Sequence, residues 1–396
     1  MMPVANERSE YKGREGGTTD RLRAKRENLR RVKRKDGSTF SITVVGKKMI
    51  YVTSPALIAQ VYGNPKSFDF ALIRRHMQKH IFGQKDMDEE LFPANLRQLQ
   101  PGTIHQLGAI KHREACLDIL ERWYIAWNTR FDAGELQPNE QVASVTAAVL
   151  EFAHKHRTKT RDVAAFLLVD MFATQGNAPP AAAWLIIKYA ENPRQLQHFP
   201  DEIDAALGKS QDGTIDGLIQ AQETMNGPAF EYLTSAIKET LRYVTSVASI
   251  GRVMEETILE EKNDGVGGVL LHKGEMIYCL TRCTHIDAKV HAEPEQWVPE
   301  RFMAEYRARE ATKKVGKNDW LPFGGRTSMC EVGRHFALQE LRTYLVAFFY
   351  HFDIQSSGPQ AQLDTSRGSG SGVMPVKGSW KIAVSQRERD CRPVAP

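Results

Sequence analysis

LPFGGRTSMCEVGRHFALQELR (321–342) sets one cysteine, Cys330, between a loop of small residues and a segment with helical apolar spacing. A cysteine thiolate can serve as nucleophile, zinc ligand or haem ligand, and each role needs different company. A nucleophile needs a base, and His335 is near in sequence. Zinc needs three or more protein ligands, and CLTRCTH (279–285) offers Cys279, Cys283 and His285, although the apolar residues around Cys279 favour core packing. Haem needs a sulfur held as a thiolate and a preceding loop able to hug a flat ring. Gly324 and Gly325 are small enough for that loop, and Phe323 is placed to shield the sulfur from water. A helix from Gly333 onward would offer N–H groups and a favourable dipole to the negative sulfur.

The surrounding elements are mostly helical. STFSITVVGKKMIYVTSP (38–55) reads as two strands around Gly46-Lys47. SPALIAQVYG (54–63) has a Ser54 cap, Pro55 at the first helical position and apolar spacing after it. Residues 111–128 and 139–156 read as helices. The segment 161–193 is apolar nearly all round and predicts a buried central helix, interrupted by Pro179 and Pro180. Helices follow over 227–244 and 333–350. GGVLLHKGEMIYCLT (267–281) reads as strands joined at Lys273-Gly274, and 363–386 as a Gly-rich hairpin. No helix follows GSGSG (368–372), which argues against a phosphate-cradling loop. The expected fold class is mainly α, one large helical domain over 37–390 with small β-sheets near the N- and C-terminal parts.

Composition narrows the field. Of 396 residues 41% are hydrophobic and 26% charged, as in ordinary globular chains. Five irregularly spaced cysteines argue against a disulfide framework. No run of 18 apolar residues predicts a membrane-spanning helix. Residues 1–36 hold twelve Lys or Arg against six Asp or Glu, whereas the rest carries 41 basic and 42 acidic groups. That head reads as a basic, flexible arm, and RLRAKRENLRRVKRK (21–35) suits contact with an anionic membrane surface. No aromatic residue interleaves with these charges, so no nucleic-acid partner is expected.

PFGGRTSMCEVGRHFA (322–337) resembles the haem-ligand loop of the cytochrome P-450 family, with Phe323 and Cys330 at the family's spacing. KETLR (238–242) resembles its Glu-x-x-Arg element, Glu239 and Arg242. WVPERF (297–302) resembles the segment whose arginine, here Arg301, completes that cluster. The nearest branch is that of prostacyclin synthase and the sterol 7α-hydroxylases. The resemblance implies a mainly α haem domain and iron protoporphyrin IX, with Cys330 as the axial ligand and Phe323, Gly324, Gly325, Ser328 and Gly333 around it. Arg252 is similar to an arginine that meets a haem propionate. On the opposite side, Gly176 stands where the family's acid stands and Asn177 where its threonine stands. Pro179 and Pro180 lack N–H groups, so the carbonyls of Gln175 and Gly176 lose their donors and a kink is expected there.

The resemblance implies a haem-thiolate monooxygenase acting on a lipophilic small molecule, such as a sterol, a fatty-acid derivative or a specialised metabolite. O2 and an NADPH-dependent flavoprotein reductase would take part, with NADPH acting only through that reductase. Two alternatives stay open: a reductase-independent isomerase of oxygenated lipids, and a non-catalytic relative with impaired haem binding. The second follows from Arg326, where the family has Gly, and from the extra residue between Cys330 and Gly333. Family members begin with a membrane anchor that this chain lacks, so the expected place is the cytoplasmic face of the endoplasmic reticulum or the cytosol. Either the basic arm docks on membranes or a segment precedes Met1.

Overall fold

The computed structural model describes residues 39–44, 47–71, 103–136, 144–192, 197–207, 227–260, 268–309, 318–325, 331–356, 358–365 and 371–387. The basic arm 1–36 lies outside them. In chain order the elements are β1 (Thr39–Val44), β2 (Lys47–Val52), α1 (Pro55–Gly63), β3 (Phe68–Asp69), α2 (Thr103–Asp132), α3 (Ser144–Lys155), α4 (Thr160–Gly176), α5 (Ala178–Ala190) and α6 (His198–Leu207). There follow α7 (Glu231–Val244), β4 (Thr245–Val253), β5 (Thr257–Leu259), β6 (Val269–Leu271), β7 (Met276–Leu280), α8 (Thr281–His285), α9 (Ala304–Arg309), α10 (Glu331–His351), β8 (Phe352–Ser356), β9 (Ser371–Val373) and β10 (Ile382–Gln386). The fold class is mainly α.

The chain forms two compact units, one holding residues 71–175 and the other 28–70 and 176–396. In the first, α2, α3 and α4 close over Tyr124, Trp127, Leu150, Val163 and Leu167. Tyr124, Trp127 and Phe131 follow each other along one face of α2, each ring stacked on the next. Arg161, in the first turn of α4, ties that helix to α2 through Glu114, Asp118 and Glu121 at 2.5, 2.6 and 3.1 Å.

The second unit is built on α5, α7 and α10. Leu185 and Tyr189 of α5, Ala236 and Ile237 of α7, and Leu345 and Phe349 of α10 share one core. Each large apolar side chain buried there contributes about 1.5–3 kcal/mol. α7 carries a second buried stripe of polar residues, Ser235, Glu239 and Arg242, which the helical repeat puts on one face. Its exposed first-turn N–H groups are capped from α6, because the Glu202 carboxylate accepts from Tyr232 and Leu233 N–H at 2.8 and 2.9 Å.

The larger sheet runs β1-β2-β7-β4-β3, with β9 also on β4. β1 and β2 form the expected hairpin. The segment 267–281 forms two strands joined at Lys273-Gly274, as expected. Gly274, at φ +91°, makes the turn, yet the two arms go to different sheets. β6 pairs with β5 and β7 with β2 and β4. The terminal hairpin is shorter than 363–386: its arms meet at Leu363 and Val376, whereas β10 runs on to pair with β8.

The central helix expected over 161–193, interrupted at Pro179 and Pro180, is two helices. α4 ends at Gly176 and α5 begins at Ala178, with Asn177 between them at φ −128°, ψ −49°. Pro179 and Pro180 fall in the first turn of α5, where N–H groups have no intrahelical acceptor, so they start a new helix at no hydrogen-bond cost. Only α5 is buried along its length; Phe166, Met171 and Phe172 of α4 are exposed.

Candidate functional site

Glu239, Arg242 and Arg301 meet in the interior of the second unit. Glu239 and Arg242 have no accessible surface and Arg301 almost none. Arg242 grips Glu239 with two parallel bonds, Nε to Oε2 at 2.7 Å and Nη2 to Oε1 at 2.8 Å. Arg301 Nε donates to the same Oε2 at 3.0 Å, and Val298 N–H donates to Oε1 at 2.9 Å. One carboxylate thus faces two guanidinium groups. Main-chain carbonyls balance the excess positive charge. Arg242 donates to those of His285, Pro294 and Gln296, and Arg301 to those of Ala292, Glu293 and Gln296. A short 3-10 turn, Pro299–Phe302, presents Arg301. Ser235 of α7 fixes that turn by donating to Pro299 O at 2.5 Å and accepting from Phe302 N–H at 3.0 Å.

The loop that leads to Cys330 is built against this cluster. Leu321 N–H donates to Nε2 of His285 at 2.9 Å, and the Trp320 indole donates to Lys238 O at 2.9 Å. Phe323 packs its ring against Trp320 at 5.9 Å in an edge contact. Gly324 takes φ +80°, a conformation that suits glycine. Gly325 lies so close to Tyr62 that a Cβ there would run into the ring. The Tyr62 hydroxyl donates to Ser249 Oγ at 2.7 Å and so holds the ring in place. Arg326, Ser328 and Cys330 lie outside the described residues. α10 starts at Glu331, the residue after Cys330, and Gly333 stands in its first turn.

At the break between α4 and α5, Gln175, Gly176 and Asn177 are exposed and adjoining. Asn177 makes no capping bond. Its side-chain oxygen sits against Gly372 of β9, where any Cβ would collide with it. Thr174 has its hydroxyl bonded back to Asp170 O at 3.0 Å. Arg252 is half-buried in β4, in register with Asp69 and Met276, and its guanidinium reaches toward the Gly274 turn.

The alternative zinc set is otherwise engaged. Cys279 is buried in β7, where loss of water pushes its thiol well up from the usual range. His285 Nε2 accepts from Leu321 N–H. Among the described residues no cluster of His, Cys, Asp and Glu could hold a metal ion. His335 is exposed beside Arg334.

Three residues around the loop had no signal in the sequence as anchors: His285, His291 and Trp320. Burial first, then the neighbouring His291, Arg242 and Arg282, hold His285 well below the ordinary imidazole range. His291 is pushed down to about 3 by burial and Arg242, with Arg301 and Arg307 adding to the effect against its bond to Asp319. Both rings are neutral at pH 7. Beside the loop lies a cavity of about 480 Å3 bordered by Lys238, Arg307, Asp319, Trp320, Gly325 and Arg334.

This combination of a helical core, a buried glutamate with two arginines, and a glycine loop ahead of a cysteine defines a haem-thiolate class of protein. The family profile for cytochrome P450 matches residues 125–382, and the chain belongs to that family. It is similar to cytochrome P450 7A1 of Sus scrofa, 26% identical over 218 residues, 53% of this chain and 42% of that protein. It is similar to cytochrome P450 3A13 of Mus musculus, 27% identical over 194 residues, 49% and 34% of the two chains. With 2-hydroxyisoflavanone synthase of Glycyrrhiza uralensis it shares 27% identity over 268 residues, 66% and 48%. The chain therefore spans less than half the length of each of these relatives. Family members bind haem; here Gly325 packs directly against the Tyr62 ring, and a helix starts at the residue after Cys330.

Proposed function

We propose that this chain is the haem-binding part of a haem-thiolate monooxygenase that oxidises a lipophilic small molecule, with electrons from an NADPH-dependent flavoprotein reductase. The observation that carries the reading is the anchored loop: the buried Glu239–Arg242–Arg301 cluster and His285 fix the chain up to Gly325, and α10 begins immediately after Cys330. In this reading Cys330 is the axial ligand, and the N–H groups at the start of α10 favour its charged form. When bound, haem supplies the oxygen-activating chemistry, which an electron-rich thiolate favours. Phe323, packed on Trp320, keeps water from the loop. Arg252 and Ser328 are the candidates for haem carboxylate and loop contacts. Asn177 donates its amide N–H to an oxygen of the substrate side, with Gly176 and Gln175 leaving main-chain carbonyls there. Lys238, Arg307 and Arg334 border the cavity beside the loop and suit an acidic reductase.

A reductase-independent isomerase of oxygenated lipids is the second reading. Asn177 favours it: an amide cannot relay protons as a hydroxyl does, and the nearby Thr174 hydroxyl is committed to its own helix. Membrane contact through residues 21–35 at the endoplasmic reticulum is part of the first reading; among the described residues no helix is long and apolar enough to cross a membrane.

The test is the absorption spectrum of the haem-loaded chain, reduced under carbon monoxide. A thiolate-type Soret band that disappears in Cys330→Ala is expected, and a band that survives the substitution overturns the assignment. Turnover that needs NADPH and reductase supports the monooxygenase, whereas turnover of a lipid peroxide without them supports the isomerase.

A further inference from the structure

Asp319, Trp320 and Leu321 are tied one after another to three separate elements. The Asp319 carbonyl accepts from His291 Nε2–H at 3.0 Å. The Trp320 indole N–H donates to Lys238 O in α7, and Leu321 N–H donates to His285 Nε2 in α8. The two imidazoles therefore carry their protons on opposite nitrogens. His291 must donate through Nε2, while His285 must accept through Nε2 and keep its proton on Nδ1. That Nδ1–H is buried and has no partner among the described residues. A buried donor left unpaired is costly, so the His285 ring serves Leu321 at the expense of its own other nitrogen. The His285 main-chain carbonyl accepts from Arg242 Nη1 at 2.6 Å. His285 is thus bonded to the ion cluster by its main chain and to the loop by its ring.

We propose that His285 is a positioning residue that transmits the geometry of the Glu239–Arg242–Arg301 cluster to the described residues ahead of Cys330, 319–325, by accepting the Leu321 N–H. The inference rests on the reading of Cys330 as the haem ligand for its functional meaning, but its physical content is the bond between Leu321 and His285. Leu321 is buried, so loss of the acceptor leaves its N–H with neither protein nor water. The lowest-energy response is for the segment to move until that N–H meets solvent. Phe323, Gly324 and Gly325 then move with it.

The experiment compares His285→Leu, which keeps bulk and removes the acceptor, with His285→Gln, whose side-chain oxygen replaces it. In the full chain, hydrogen exchange at the Leu321 amide should rise about tenfold in His285→Leu, in line with local release of one buried hydrogen bond. It should return towards the wild-type rate in His285→Gln. Amides of α7 should keep their protection in both. With haem bound, a fraction of the reduced carbonyl complex in His285→Leu should lose the thiolate-type Soret band, and His285→Gln should recover it. Equal exchange at Leu321 in all three proteins, or equal loss in the Leu and Gln variants, overturns the proposal and makes His285 a packing residue. If His285→Leu fails to fold, His285→Gln decides: wild-type protection at Leu321 supports the bond, and an unprotected Leu321 rejects it. If the wild-type chain shows no thiolate-type band, the haem reading fails, while the exchange data still judge the His285 bond by themselves.

Discussion

Two of the arginine-centred ion clusters among the described residues are built in opposite ways. In the unit of residues 71–175, Arg161 meets three carboxylates, Glu114, Asp118 and Glu121, and all four side chains keep part of their surface in water. In the other unit, a single carboxylate, Glu239, meets two arginines without water, and main-chain carbonyls complete the set. The first cluster joins two helices whose apolar faces already meet. The second fixes a segment without regular structure, 292–298, which Trp297 also ties to α7 by donating to Thr240. Charge on the surface adjusts a contact; charge in the interior decides where the chain goes.

The comparison breaks first at Glu239 and Arg242. Truncating either to Ala strands a buried charge and should cost about 3–5 kcal/mol. Denaturant titration should show this as a large loss of stability or of folded yield. A small effect would make the two clusters equivalent.

Mild acid should weaken the second unit through its two buried histidines. An imidazole in the unfolded chain titrates near 6.5. Folded His291 is pushed down to about 3, and folded His285 lies well below 6.5. The unfolded chain therefore binds more protons as pH falls below about 6.5. Stability is full above that pH and declines below it, by up to about 1.4 kcal/mol per histidine per pH unit. Burial raises the Asp319 carboxyl, which acts in the opposite sense at lower pH, although Arg307 restrains it. Melting temperatures from pH 7.5 to 5 should fall, and His291→Asn should flatten the slope.

Gly325→Ala should come next, at about 1–3 kcal/mol, because the new Cβ meets the Tyr62 ring. The cost should shrink in a Tyr62→Leu background, as a double-mutant cycle in chemical denaturation would show. The smallest effect belongs to Arg161→Ala, below about 1 kcal/mol and fading with added salt. A loss that salt does not weaken would mean that this cluster too is effectively dry.

Much of the frame was legible in the residues. The resemblance of KETLR and WVPERF to family motifs anticipated the cluster, whereas the i, i+3 spacing of Glu239 and Arg242 alone places the two on one helix face. The β1–β2 hairpin was readable from β-branched arms around a glycine. What escaped was anything decided by distant partners. The residues 267–281 show two strands joined at Lys273-Gly274, but not that β6 pairs with β5 and β7 with β2 and β4. Pro179 and Pro180 read as a kink within one helix because sequence alone does not say which residue is the first of a new one. His285 attracted notice only as a metal-ligand candidate, since no local pattern marks an imidazole that accepts from a main-chain N–H far along the chain.

Strand β4 has one further consequence. Thr245–Val247 pair with β9, Ala248–Arg252 with β7, and Arg252 and Val253 with β3, Arg252 having a partner on each side. It works as a ruler that sets two scales at once: where Gly372 lies beside Asn177, and which way Arg252 points. Deleting a single residue inside it would turn every later side chain to the opposite face. The contact of Gly372 with Asn177 precedes such a deletion, whereas the direction of Arg252 follows it, so one change would alter their relation.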